Sequence, residues 1–274
     1  MAFNTILSLL SLAAVLLGAM AGPSLAGAIE DIKARGELIA GVKADYPPFA
    51  NRNKAGEIVG LEVDLAKDLA ERLGVKLRLF AVSSDGRIQF LQQGSIDVLI
   101  ATMAVTKPRQ RQAGLIEPYY YASRLAVLAP KSAAIGSLAD LREKPVCTIL
   151  HAYYSDDLAA RAPAVKLMPV RSLNAAGQAM RAGRCVAVIE ENSHLYELKT
   201  RVGDPFADFQ ITPLDFPPLP WAIGVQAGEK DGPLGKLVSE TVTDWHRSGK
   251  LLALEKQWLG ENTSWLIDQQ KAVK

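Results

Sequence analysis

Arg109 heads the residues of this chain whose surroundings could do binding chemistry. It ends the run Ala101-Thr102-Met103-Ala104-Val105-Thr106-Lys107-Pro108-Arg109, which follows a β-branched apolar segment and precedes a helical one. Thr106 has the side chain of an N-cap, and Pro108 suits a first helical turn, where its missing N–H costs nothing. Such a helix start offers backbone N–H groups and the positive end of a dipole. An arginine one turn in adds a planar fork that can hold a carboxylate through two parallel bonds. The pattern predicts a carboxylate receptor, each charge-assisted bond contributing about 1.5–3 kcal/mol. The plainer alternative is a surface arginine paired with a neighbouring acid.

Other chemistries find less support. His151, His194 and His246 are too scattered for a metal motif, so neither metal nor cofactor is expected. No paired carboxylates, nucleophile–base arrangement or cofactor loop is visible, so no catalytic residue is assigned and the chain is not expected to be an enzyme. Lys+Arg total 31 against 29 Asp+Glu, a net charge of +2 without long basic runs, which speaks against a nucleic-acid partner. Apolar residues at 49% and charged residues at 22% describe an ordinary globular chain.

The elements that must position Arg109 follow from hydrophobic spacing. Glu37 to Val42 reads as a short strand, and Pro47-Pro48 then excludes helix and central strand. Leu61, Leu65, Leu69 and Leu73 mark an amphipathic helix closed by Gly74. Strands are expected over 75–82 and 96–100, with a short helix through Ile88 and Leu91 between them. Alternating strands and helices imply α/β layering with mostly parallel sheets. Residues 89–100 (QFLQQGSIDVLI) and 178–189 (QAMRAGRCVAVI) repeat one design: a helix end, a glycine and a β-branched strand. If the repeat is structural, the chain has two like-built lobes, with Thr102 and Glu191 at equivalent strand carboxyl ends, where open α/β sheets bind ligands. Proline-rich segments at Tyr119–Pro130 and Leu214–Val225 would cross between the lobes. From 232 to 260 the apolar spacing is helical.

No charged residue precedes Glu30, and Ile6 to Met20 (ILSLLSLAAVLLGAM) has the length of a secretory h-region. Ala26 and Ala28 supply an A-x-A pattern, so cleavage is expected after Ala28 or after Ala26, although the usual basic n-region is missing. A membrane anchor would need about 20 apolar residues, and Gly18, Gly22 and Pro23 interrupt this stretch. Export makes a disulfide between Cys147 and Cys185 plausible, two buried thiols being the alternative.

Four blocks carry a resemblance to a known family: GVKADYPPF (41–49), GLEVDLAKDLAERLGVKL (60–77), GRIQFLQQGSIDVLIATMAVTKPRQ (86–110) and EPYYYAS (117–123). With WAIGVQAGEKDGPL…SGKLLALEKQWLG (221–260), the chain resembles the family 3 extracellular solute-binding proteins, polar amino-acid receptors of ABC importers. The resemblance implies a two-lobed type II periplasmic-binding-protein fold with a two-segment hinge: a signal peptide over 1–28, lobe 1 over 29–122 and 223–274, lobe 2 over 123–222. It implies a small-molecule ligand, an ABC permease in the inner membrane as partner, a periplasmic location and a monomer. Carried over by position, Arg109 grips a ligand α-carboxylate, Tyr46 covers the ligand, Thr102 touches it, and Glu191 receives its α-ammonium from the second lobe. Glu190 is the alternative carboxylate. Lys43 and Arg87 match positions where receptors for acidic amino acids carry basic residues; ordinary scaffold roles are the other reading.

Departures from the family pattern widen the ligand class. Ala104 stands where a Ser or Thr is common, Ser84 where an aromatic is frequent, and His151-Ala152-Tyr153 where Gly-Thr-Thr is usual, so Tyr153 would reshape the pocket. Modified amino acids, opine-like compounds and other small acids therefore join the candidates. The implied topology also makes the strands beginning near Cys147 and Cys185 neighbours, which favours the disulfide. Two further functions stay open: a cyclohexadienyl-dehydratase-like enzyme on the same fold, and a free ligand-presenting sensor or assembly protein.

Overall fold

The computed structural model describes residues 27–150, 152, 154–199 and 206–273. In chain order its helices are α1 (Ala28–Arg35), α2 (Leu61–Leu73), α3 (Arg87–Gln92), α4 (Lys107–Gln110), α5 (Ser155–Arg161), α6 (Leu173–Arg181), α7 (Asn192–Lys199), α8 (Pro233–Ser248), α9 (Lys250–Leu259) and α10 (Ser264–Val273). The strands are β1 (Glu37–Val42), β2 (Asp45–Tyr46), β3 (Ala50–Arg52), β4 (Ile58–Val59), β5 (Lys76–Ala81), β6 (Val98–Leu99), β7 (Gly114–Ser123), β8 (Leu125–Pro130), β9 (Pro145–Ile149), β10 (Lys166–Val170), β11 (Ala187–Glu191), β12 (Phe209–Pro213) and β13 (Leu219–Val225). No helix among the described residues is long and apolar enough to cross a membrane.

Two five-stranded sheets carry the chain, ordered β5-β1-β6-β13-β7 and β10-β9-β11-β8-β12. In the first, β5, β1 and β6 are parallel and β13 runs against both β6 and β7. In the second, β10, β9 and β11 are parallel and β8 runs against both β11 and β12. Each sheet is thus mostly parallel with one reversed strand. The shared order gives the internal sequence repeat its structural meaning: β6 and β11 occupy the same place. The expected strand over 96–100 shortens to Val98–Leu99, although Ile96, Val98, Leu99 and Ile100 are all buried. The flanking residues still bond to β1, the Asp97 N–H donating to the Ile39 carbonyl and the Ile100 N–H to the Gly41 carbonyl, both at 2.9 Å.

Amphipathic helices cover the sheets. On α2, Leu61, Leu65, Leu69 and Leu73 are buried as the spacing predicts, and Gly74 closes the helix at φ 71°. Fully burying a Leu side chain contributes about 1.5–3 kcal/mol. On α8, Leu234, Val238, Val242 and Trp245 pack into the core of the first sheet. The second sheet has its own cores, one on each side, around Leu158 and Ile189 and around Phe206 and Leu195.

The chain passes between sheets twice, at Arg124 between β7 and β8 and at 214–218 between β12 and β13. Asn192, at the start of α7, ties the first crossing. Its Oδ1 accepts from the Arg124 N–H at 3.0 Å, the Ser123 hydroxyl at 3.4 Å and the Ser193 N–H at 2.9 Å. Cys147 and Cys185 form a disulfide with Cα atoms 5.7 Å apart, within the usual bridging range.

Candidate ligand-binding cleft

The carboxyl ends of the parallel strands bring the predicted residues together. Lys43 follows β1 directly, Thr102 lies just beyond β6, and Glu191 is the last residue of β11. Tyr46 reaches across from β2: its hydroxyl shares a hydrogen bond with that of Ser193 at 3.1 Å, and its ring stacks on His194 with centroids 4.1 Å apart. Lys43 Nζ stands 4.4 Å from the centre of the Tyr46 ring and donates to the Ser84 hydroxyl at 3.0 Å. The Ser at position 84, where the family often has an aromatic, therefore receives the lysine.

Arg87 is 4% exposed, and its Nη1 donates to the Ala101 carbonyl and reaches the Thr102 carbonyl and hydroxyl at 3.3 and 3.4 Å. Arg109 donates from Nη1 to the Ala104 carbonyl at 3.0 Å. Burial lowers the pKa of Arg87, and the nearby charge of Arg109 lowers it further. Burial likewise lowers Lys43; Asp45 opposes this, while Arg87 adds to it. Three cations thus converge on one wall, with Arg87 between Lys43 and Arg109 and repelling both.

Carboxylates face them from two sides. Glu191, half-buried, is close enough for its charge to raise Lys43 and, after burial itself, to raise Tyr46. Glu62 lies beneath, fully buried, with Oε1 accepting the Thr102 N–H at 2.7 Å and the Tyr120 hydroxyl. Burial pushes the Glu62 carboxyl up to about 7, although those two bonds and the charges of Lys43 and Arg87 pull it down. Glu190 faces Tyr154 and His194. Its Oε2 accepts from Tyr154 at 2.7 Å, and its Oε1 accepts the Glu191 N–H at 3.0 Å and lies 3.4 Å from His194 Nδ1. The two glutamates are adjacent at the end of β11, and both carboxylates stay beside His194 rather than parting to opposite faces. Glu190, Glu191 and His194 place ligand atoms within 4.8 Å of one another, but both Glu190 oxygens are already engaged, so the trio is a hydrogen-bonded corner.

Thr106 caps α4 as expected, accepting the Arg109 N–H at 3.4 Å, but α4 is a single turn. So short a helix carries little dipole. Tyr153 and His151 lie outside the described residues. A separate cavity of about 260 Å³ lies behind the hinge, among Arg124, Tyr196 and Trp265, and holds none of the cleft cations.

The sequence assigns no role to Glu62 or Ser193, and it brings in His194 only as one of three scattered histidines. Glu62 had a readable signal: positions 62, 66, 69 and 73 form a helical stripe whose other members, Ala66, Leu69 and Leu73, are apolar. A carboxylate on that stripe is buried by construction. His194 had none, because its partner Tyr46 is remote in sequence.

Residues 38–261 match the model of the bacterial extracellular solute-binding proteins, family 3. The chain belongs to that family. It is 27% identical over 271 residues to the ABC transporter glutamine-binding protein GlnH of Bacillus subtilis (strain 168), covering 93% of this chain and 97% of that one. It is 26% identical to the L-cystine-binding protein TcyJ of Escherichia coli (strain K12), covering 87% and 88%. Among solved structures, an ancestral cationic amino acid solute-binding protein superposes with a TM-score of 0.74 at 25% identity, covering 85% of this chain and all of that one. In this family 3 protein, the carboxyl ends of the two sheets meet at Tyr46, Ser193 and Glu191.

Proposed function

We propose that the chain captures a small carboxylate-bearing solute, an amino acid or a close derivative, by closing its two lobes, and delivers it to an ABC permease of the inner membrane. The observation that carries this reading is the charge pattern: Lys43, Arg87 and Arg109 on one wall, Glu191 opposite. A zwitterion complements both walls only when they meet, so contacts unique to the closed state drive closure. Arg109 binds the carboxylate, Glu191 the ammonium, Tyr46 and Thr102 border the ligand, and Tyr153 contributes from the second lobe. The names of relatives, glutamine-, cystine- and cationic-amino-acid-binding proteins, support an amino-acid ligand and a binding role without turnover. The lobe bounds are best drawn at the two crossings, lobe 1 over 29–123 with 219–274 and lobe 2 over 125–213, rather than at 122 and 223, because β13 pairs with β7 along Leu219–Val225; the protein acts as a monomer.

Export to the periplasm would remove the apolar front. Gly27 is the N-cap of α1, its carbonyl accepting the Asp31 N–H at 3.2 Å. A cut after Ala26 keeps this first turn intact; a cut after Ala28 removes it.

A thermal-shift screen with amino acids, dicarboxylates and opines tests the reading. The expected result is stabilisation of the wild type by one class and its loss in Arg109→Ala, which stays folded. Undiminished binding by Arg109→Ala removes the carboxylate assignment, and aromatic product from arogenate or prephenate would overturn the binding-only role.

A further inference from the structure

The reading above gives no task to the most deeply buried acid of the cleft. Glu62 stands in the first turn of α2, and its Oε1 accepts the Thr102 N–H and the Tyr120 hydroxyl, while Oε2 is buried without a hydrogen-bond partner. Thr102 has φ 47°, a left-handed conformation that β-branched residues rarely adopt. Something must hold it there. Glu62 grips its N–H, Arg87 grips its carbonyl and hydroxyl together with the Ala101 carbonyl, and Arg109 grips the Ala104 carbonyl. One loop is therefore pinned by a carboxylate and by both guanidiniums of the proposed carboxylate-binding wall.

We propose that Glu62 is a positioning residue of the cleft, which fixes Thr102 in its left-handed conformation and responds to the charge of a ligand held by Arg87 and Arg109. The proposal rests on the reading of that wall given above. The groups facing Glu62 are Lys43 after β1, Arg87 on α3, Tyr120 on β7, Tyr46 on β2 and the Thr102 N–H. Its carboxyl, raised by burial to about 7, is divided between two protonation states at neutral pH. A ligand carboxylate beside Arg87 and Arg109 offsets the cations that favour ionised Glu62. It therefore favours the protonated form, and binding takes up a proton. Affinity accordingly falls as pH rises through neutrality.

Two variants separate the roles. Glu62→Gln keeps an oxygen acceptor for the Thr102 N–H but cannot ionise; Glu62→Leu removes both properties. Thermal unfolding is followed at pH 6 and pH 8, with and without a mixture of L-glutamine, L-arginine and L-glutamate. Wild type should bind more tightly at pH 6 by about threefold to tenfold, read as a larger stabilisation. Glu62→Gln should be stabilised equally at both pH values, and Glu62→Leu, folded by circular dichroism, should lose the stabilisation. If Glu62→Leu does not fold, the Gln variant alone decides through its pH contrast. The wild-type pH contrast persisting in Glu62→Gln, or full stabilisation of Glu62→Leu, overturns the proposal. Failure of the parent reading is seen on another variant, when Arg109→Ala keeps its stabilisation. A wild type that none of the three probes stabilises overturns both.

Discussion

Burial of Glu62 ties the stability of this fold to pH. Its carboxyl titrates near 7 in the fold, against an ordinary value of 4.5. The folded state therefore holds the proton more tightly, and Glu62 stabilises the fold most at low pH. That contribution is lost as pH rises from about 4.5 to about 7, and its full size is about 3 kcal/mol. Glu62→Gln has no such loss, so its melting temperature should exceed the wild-type value by more at pH 8 than at pH 5. Paired scanning calorimetry at the two pH values checks this, and an equal difference at both refutes it. Across the cleft, Glu191→Gln should weaken binding of a zwitterion while preserving the fold, because a neutral amide cannot match an ammonium. About tenfold is expected from the loss of one charge-assisted bond, measurable by calorimetric titration with whichever amino acid stabilises the wild type.

At the scale of elements, the start of α2 is the most constrained junction near the site. Gly60 adopts φ 146°, and a Cβ there would lie 2.2 Å from the Phe49 carbonyl oxygen. That closeness lets the N–H groups of Leu61 and Glu62 reach the carbonyls of Pro48 and Phe49, at 3.2 and 2.9 Å. The loop carrying Tyr46 and the helix carrying Glu62 are thereby locked together. Gly60→Ala should destabilise the fold by about 3 kcal/mol and weaken ligand binding as well, whereas an exposed glycine such as Gly228 should tolerate alanine. Urea unfolding of the two variants side by side distinguishes them.

For the whole molecule, the lobes meet through contacts of both characters: Tyr46 bonds to Ser193 and stacks on His194, while Tyr196 bonds to Glu261 and packs with Ile211 against the first core. The disulfide lies within the second sheet, toward the amino end of β11, while Glu191 is at the carboxyl end. Replacing both cysteines with serine should therefore cost about 3–4 kcal/mol of stability and leave ligand affinity within about twofold. A large change in affinity would mean that the bridge also shapes the cleft.

Local spacing determined the elements of this protein: the leucine stripe of α2, the strand flanking Lys43, the Thr106 cap and the α8 pattern are all present as read. These depend on near neighbours, whose preferences the sequence displays directly. The repeat of residues 89–100 and 178–189 further indicated two like-built lobes, and the common sheet order carries that repeat into three dimensions. The tertiary structure alone decided which charges face one another. Lys43 on Ser84, Tyr46 against His194 and Glu62 beneath Thr102 join residues far apart in the chain, and no local preference encodes such pairs. Glu62 marks the boundary between the two kinds of information. Its burial was legible in the helical stripe, but its partners, and the pKa they leave it, arise only when β1, α3 and β7 pack around it.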